Sequence, residues 1–238
     1  MDQLLVALDV DTAAEARRLA EALRGVAGGF KIGSRLFTSH GPSIVEELSG
    51  RGDRVFLDLK FHDIPHTVAG AVAAAVRLGV WMLNVHASGG SAMMRAAREA
   101  ADEEAARMSR PAPLVIAVTM LTSLSETMMA EIGIAGGMAG QVERLAALAQ
   151  SARLDGVVAS PLEIALVRAR CGPHFAIVTP GIRGASDAKG DQSRTLTAAQ
   201  ALTEGASYLV IGRPISLAPD PRAAAERLVA QCRAAHAR

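Results

Sequence analysis

Eight short runs of apolar residues recur along this chain, each followed by a stretch with helical spacing, and few folds accommodate that alternation. The runs are Leu4 to Val10, Phe30 to Gly33, Val55 to Lys60, Met82 to Ala87, Leu114 to Thr119, Gly156 to Ser160, Phe175 to Thr179 and Tyr208 to Gly212. They are near-continuous, not alternating, as in parallel strands covered by helices on one face and by a barrel interior on the other. Helix-start signals lie between them. Thr12 with Glu15, Ser160 with Glu163 and Thr197 with Gln200 read as capping boxes, and Asp220 before Pro221 serves the last helix. Inside the helices the apolar residues fall at turn spacing, as in Ala16, Leu19, Ala20 and Leu23, or Ala225, Leu228, Val229 and Cys232. Eight strand–helix units joined by right-handed crossovers close into a (β/α)8 TIM barrel, with an open doubly wound sheet as the alternative. Residues 1–238 suit one such domain without an appended module.

Hydrophobic residues make up 50% of the chain and aromatics 3%, so the core must be packed mainly with aliphatic side chains. With 25 basic and 24 acidic side chains the formal charge is +1, which supplies no sequence-wide field for nucleic acid or anionic lipid. Any anion site must therefore be local. Cys171 and Cys232 have neither metal-ligand spacing nor the number for a disulfide framework, so both read as packing residues of a reducing compartment. The N-terminus has no basic leader and meets Asp9 early, and no apolar run reaches the roughly 18 residues of a membrane span. A soluble, cytoplasmic protein with no membrane or nucleic-acid partner is expected. Gly184 to Ser193 is polar and aperiodic, the pattern of a mobile loop, and the Met-rich stretch from Met128 to Met138, with Gly133, Gly136 and Gly137, is the segment whose structure the sequence defines least.

Reactive groups of such barrels sit at the C-terminal ends of the strands. Here those ends are charged: Asp9 after the first run, Lys31 within the second, Asp58 and Lys60 at the end of the third with Asp63 beyond, and His86 in the fourth. Strand alternation places Asp58 and Lys60 on one face. Separate burial of these charges would be costly, whereas an alternating network lets each carboxylate keep a neighbouring ammonium charged, and a lysine so held can act as a general acid. The same residues could instead form a solvated strand end, or a buried network that only fixes register. His86 reads more readily as a hydrogen-bonded packing residue than as a catalyst.

A second constellation lies near the C-terminus, where Thr179-Pro-Gly-Ile-Arg183 and Ile211-Gly-Arg-Pro214 end the seventh and eighth runs. Loops at these positions form the recurrent phosphate site of TIM barrels. Gly181 and Gly212 permit close backbone approach, Arg183 and Arg213 offer forked donors, and Gln192 could join from the polar stretch. No phosphate-binding Gly-x-x-x-x-Gly-Lys-Ser/Thr sequence and no structural-zinc spacing is present. These residues point to a phosphorylated small molecule handled by lysine and aspartate.

At Phe56-Leu-Asp-Leu-Lys-Phe-His-Asp-Ile-Pro65 the chain resembles the orotidine 5′-monophosphate decarboxylases, with their Asp-x-Lys-x-x-Asp signature. The resemblance extends over nearly the whole chain through Val6-Ala-Leu-Asp9, Phe30-Lys-Ile-Gly33, Asn84-Val-His-Ala87, Leu121-Thr-Ser123, Thr179 to Arg183, Gly190-Asp-Gln192 and Ile211 to Pro214, in the family's order. It implies a cofactor-free, metal-free lyase that converts orotidine monophosphate to UMP. Lys60 would donate a proton to C6, Asp58 would face the departing carboxylate, Lys31 would bridge the ribose and the acidic pair, Asp9 would bind a ribose hydroxyl, and Thr122 would lie near the pyrimidine. Gln192, Arg183, Arg213 and the backbone of Gly212 would hold the phosphate, with residues 184–191 closing over it. A homodimer is implied in which Asp63 and Thr67 enter the partner's site. His66 departs from the family's usual Asn, which bears on a contact beside that interface. Metal-dependent sugar-phosphate decarboxylases and aldolases share the short acidic-lysine motif, and a non-catalytic phosphometabolite sensor is the alternative from another class.

Overall fold

The computed structural model describes residues 1–182 and 196–236. Eight strands, β1 (Leu4–Ala7), β2 (Gly29–Gly33), β3 (Val55–Phe61), β4 (Met82–His86), β5 (Leu114–Val118), β6 (Gly156–Val158), β7 (Ala176–Thr179) and β8 (Tyr208–Ile211), pair in parallel with their sequence neighbours. β8 returns to β1, with Leu4 opposite Leu209 and Val6 opposite Ile211, so the sheet is closed and the open alternative is excluded. Several strands stop short of the apolar runs that announce them. Leu8 and Val10 continue the first run beyond β1, the Leu8 amide still donating to the Lys31 carbonyl at 2.9 Å, and both are buried in the cluster that includes Leu19 and Leu23 of the first helix. Hydrophobicity thus outlasts strand geometry there.

The helix-start signals lie at helix starts, although Thr12 and Glu15 form a single cap bond and not the reciprocal box that the sequence implies. Thr12 accepts a hydrogen bond from the Glu15 amide at 3.2 Å, and the Ala223 amide donates to Asp220 Oδ1 at 3.0 Å. Thr197 and Gln200 form a reciprocal box, with 3.3 Å from the Gln200 amide to Thr197 Oγ1 and 3.0 Å back. The Ser160 amide donates to Glu163 Oε2 at 3.0 Å and opens a short 3-10 turn before the helix Ile164–Cys171. The Met-rich stretch resolves into a helix, Glu126–Glu131, capped by Ser125, and then a turn into the helix Met138–Ser151. Gly133, Gly136 and Gly137 all take positive φ in that turn, a conformation other residues rarely adopt, and this breaks any period.

Two apolar clusters separate by strand parity. Leu4, Val6, Leu57, Leu83, Val115, Ile177 and Leu209 point outward into the large core beneath the helices. Leu5, Phe56, Met82, Ile116 and Val178 point inward and fill the barrel, so the next inward positions toward the strand ends stand on a dry platform. Trp81 and Tyr208, the chain's one Trp and one Tyr, pack edge to face at 5.2 Å below that platform, with the Arg54 guanidinium 3.8 Å over the Trp81 ring. Cys171 and Cys232 are buried thiols, and burial pushes both above their ordinary value. No helix among the described residues is long and apolar enough to cross a membrane.

Barrel closure leaves no space at Gly156, where a Cβ would lie 2.1 Å from the Ala176 carbonyl oxygen. Gly156→Ala is expected to destabilise by about 2 kcal/mol or more through overpacking against backbone. Gly140→Ala, on an exposed helical position with nothing within 4 Å, should stabilise by roughly 0.5–1 kcal/mol. Urea denaturation midpoints of the two variants check the pair; equal shifts would contradict this account of closure.

Candidate active site

Inward-facing residues at the upper ends of β1, β2 and β3 form an alternating chain of charge. Lys31 Nζ lies 3.0 Å from Asp9 Oδ1 and 3.4 Å from Asp58 Oδ2, and Lys60 Nζ lies 2.7 Å from the other carboxylate oxygen, Asp58 Oδ1. Lys31 is only 7% exposed, whereas Asp9 is open at the rim. Gly33 makes this possible: a Cβ there would sit 2.9 Å from Lys31 Nζ. Burial alone would lower the pKa of Lys31, but the attraction of Asp58 and Asp9 and their hydrogen bonds outweigh it and hold the ammonium above its ordinary value of 10.5. Burial likewise pushes Asp58 up, while Lys31, Lys60 and a hydrogen bond from Asn84 pull it below 3.8. The stabilisation from Asp58 is therefore present above 3.8 and lost as pH falls through its lower folded value. That from Lys31 is present below 10.5 and lost as pH rises through its higher folded value. Both ions are charged across neutral pH.

Lys60 does not reach Asp58 by simple strand alternation, which corrects the sequence reading. Leu57 pairs with Leu83 and Phe61 with Val85, so Asp58, Leu59 and Lys60 of β3 stand against the single residue Asn84 of β4. Within this bulge Lys60 takes φ 55°, a left-handed conformation that costs a residue with a Cβ roughly 1–2 kcal/mol. The Lys60 amide, displaced from the ladder, donates instead to Asn84 Oδ1 at 2.8 Å, and Asn84 Nδ2 donates to Asp58 Oδ1 at 2.7 Å. Asn84 is fully buried.

Above the apolar platform lies a cavity of about 460 Å³, a volume suited to a small molecule. Asp9, Lys31, Asp58 and Lys60 line one side, Thr122 and Leu121 another, and Gly181, Gly212 and Arg213 the ends of β7 and β8. The two sequence constellations thus line one space and adjoin where β8 meets β1, since a Cβ on Gly212 would lie 3.8 Å from Asp9 Oδ2. Gly181 has φ 81°, which favours glycine. Asp63 and Thr67 do not line this cavity; both are exposed, and Asp63 Oδ1 accepts from the Ile64 amide. Arg183, Gln192 and residues 184–191 lie outside the described residues. Among the described residues, no group of three or more His, Cys, Asp or Glu is arranged to hold a metal ion.

Sequence reasoning passed over two contributors. Arg35, on the helix Ser34–His40 that follows β2, lines the cavity mouth and pairs with Asp11; an arginine one turn beyond a strand gives no signal of its own. Asn84 did give one: an amide inside the apolar run of β4, on the inward parity shared by His86. His86 is half-buried, its ring 5.3 Å from that of His62.

Residues 2–228 match the family described as Orotidine 5′-phosphate decarboxylase / HUMPS. Among similar proteins, the Orotidine 5′-phosphate decarboxylase of Moorella thermoacetica is 58% identical over 97% of this chain and 92% of its own length. That of Paramagnetospirillum magneticum is 50% identical over 97% and 98%. The crystal structure of Orotidine 5′-phosphate decarboxylase from Lactobacillus acidophilus superposes with a TM-score of 0.85 at 36% identity, covering 96% of this chain and 98% of that one.

Burial first, then His62 and Lys60, lower the pKa of His86, while Asp58 opposes them. In an NMR titration of the histidine rings His86 should titrate below the ordinary 6.5. Lys60→Met should raise its midpoint by removing a cation, and Asp58→Asn should lower it further. An unmoved midpoint in both variants would disconnect His86 from the relay.

Proposed function

The chain belongs to the orotidine 5′-phosphate decarboxylase / HUMPS family, and on that premise we propose that it converts orotidine 5′-monophosphate to UMP and carbon dioxide in pyrimidine biosynthesis, using its own lysine and aspartate side chains. The observation that carries the reading is the Asp9–Lys31–Asp58–Lys60 relay facing a cavity that the Gly212–Arg213 turn also lines. Relatives that share half or more of this sequence carry the decarboxylase name, so the metal-dependent sugar-phosphate enzymes are not favoured.

Loss of carbon dioxide breaks the bond from C6 to the carboxyl carbon and leaves the electron pair on C6, in the ring plane, where the ring π-system cannot delocalise it. Stabilisation must then come from charge held in place beforehand. The Lys60 ammonium offers that charge, and its proton passes to C6 to complete UMP. Asp58, kept ionised by two ammonium groups and an amide, faces the substrate carboxylate, and the repulsion between them is relieved as carbon dioxide departs. Lys31 and Asp9 hold the ribose, Thr122 lies against the pyrimidine, and the Gly212 backbone and Arg213, with Arg183 and Gln192, bind the phosphate. Binding energy from that remote anion serves the reacting ring, so truncated substrates lose turnover as well as affinity.

The exposure of Asp63 and Thr67 outside their own cavity supports a homodimer in which they complete the partner's site. Membership of a metabolic enzyme family and a cysteine count too low for a disulfide framework support a reducing, cytoplasmic setting.

Purified protein mixed with orotidine monophosphate in excess EDTA should lose the orotate ultraviolet absorbance and yield UMP; no loss from folded protein would overturn the assignment. Lys60→Ala should lower turnover by at least about 100-fold while still binding UMP, and undiminished turnover would remove Lys60 from the role of acid.

Mixing inactive Lys60→Ala chains with inactive Asp63→Ala chains tests the shared site. Each heterodimer would hold one doubly altered site and one intact site, so equal mixing should recover about a quarter of wild-type activity in a two-fold symmetric dimer. With exchange verified by native mass spectrometry, no recovery would rule out donation between subunits.

A further inference from the structure

The β3 bulge sets a problem that a single side chain resolves. Three residues of β3 face one residue of β4, so the Lys60 amide has left the regular ladder, and a buried amide without an acceptor would be costly. Asn84 supplies the acceptor from its side chain at 2.8 Å, and the other half of the same amide holds Asp58 Oδ1 at 2.7 Å. Asp58 Oδ1 is also the oxygen that receives the Lys60 ammonium. One neutral, fully buried group therefore fixes both the backbone of the lysine and the carboxylate that orients its ammonium. Other residue types would not do this. A carboxylate can accept but has no donor for Asp58, and an aliphatic side chain of the same shape offers neither.

We propose that Asn84 is a positioning residue for proton delivery: it holds Lys60 in its left-handed conformation and Asp58 in register so that the Lys60 ammonium points at the reacting carbon. The proposal rests on the decarboxylase reading above.

Asn84→Ala should keep a cooperative thermal transition and bind UMP within about threefold of wild type, while kcat falls on the order of 100-fold, the scale of a misplacement near 1 Å. Asn84→Asp is isosteric and supplies a readout that loss of packing would not give. When protonated, the introduced carboxyl group can accept the Lys60 amide and donate to Asp58; when ionised, it places a second carboxylate against Asp58. The titratable groups around that position are Asp58, Lys60 and Lys31, with His86 on the same face of β4 and His62 beside it. The variant should therefore be most active at low pH and lose kcat as pH rises, on a limb that wild type lacks. An Asn84→Ala kcat equal to that of wild type, or an Asn84→Asp profile superimposable on it, would overturn the proposal. Amide hydrogen exchange at Lys60, measured on the free proteins, should accelerate at least about tenfold in Asn84→Ala, and unchanged protection would also overturn it. That measurement needs no substrate, so it judges the positioning of Lys60 even if wild type failed to turn over orotidine monophosphate, a failure that would count against the function instead.

Discussion

The ion pair between Lys31 and Asp58 is the contact on which the upper barrel depends. Lys31 is almost wholly buried and Asp58 nearly so, and neither could remain charged there alone. Removing one partner of such a buried pair costs about 3–5 kcal/mol, because the survivor is left as an uncompensated charge. The arrangement is also directional. Lys31 comes from β2, Asp58 from β3 and Asp9 from the turn after β1, so satisfying one ammonium aligns the ends of three neighbouring strands. Lys60 is then added at the solvent side of Asp58, partly exposed and able to meet a ligand while its counter-ion stays fixed.

This charge stands on a floor that contains almost no polar atoms. The inward ring of Leu5, Phe56, Met82, Ile116 and Val178 excludes water from below, and the cavity walls above include Val118, Val158 and Val210. Attraction among ions is stronger where water is scarce, so the apolar barrel interior raises the value of the relay as well as supporting it. A chain with so few aromatics builds this interior mainly from aliphatic side chains around Phe56 and Met82, which pack to crystal-like density when their layers interdigitate.

The barrel was legible because parallel strands buried on both faces write continuous apolar runs, and because Thr12, Thr197 and Asp220 mark helix starts through local hydrogen bonds. The relay was legible for a related reason: Asp9, Asp58 and Lys60 interrupt those runs near their C-terminal ends, and Lys31 stands as a lone charge within the second. What the runs conceal is register. A bulge adds residues without altering composition, so Lys60 reads as an ordinary strand position, and alternation gives the right neighbour for an incomplete reason. Asn84 stands in plain view inside β4, yet its use becomes visible only when the displaced Lys60 amide is seen to need an acceptor. Asp63 and Thr67, which the family resemblance assigns to a partner's site, do not line this chain's own cavity.

The bulge also links these two parts of the molecule. It turns the Lys60 side chain toward the cavity and, within two residues, ends β3, so that the segment from His62 to Thr67 leaves the barrel exposed, with Ile64 66% accessible. An apolar side chain so open, flanked by Asp63 and Thr67, is unfavourable in water and gains from being covered. In the dimer proposed above, covering that segment would restrain the chain immediately after the strained lysine. Association and orientation of the acid would then act on one short stretch of backbone: subunit contact would stabilise the exit of β3, and Asn84 its bulge from the barrel side. A lone subunit would lack the first restraint as well as the partner's carboxylate. Its deficit should therefore exceed that of an Asp63 substitution within an intact dimer, because the latter loses one charge and keeps the restraint on Lys60.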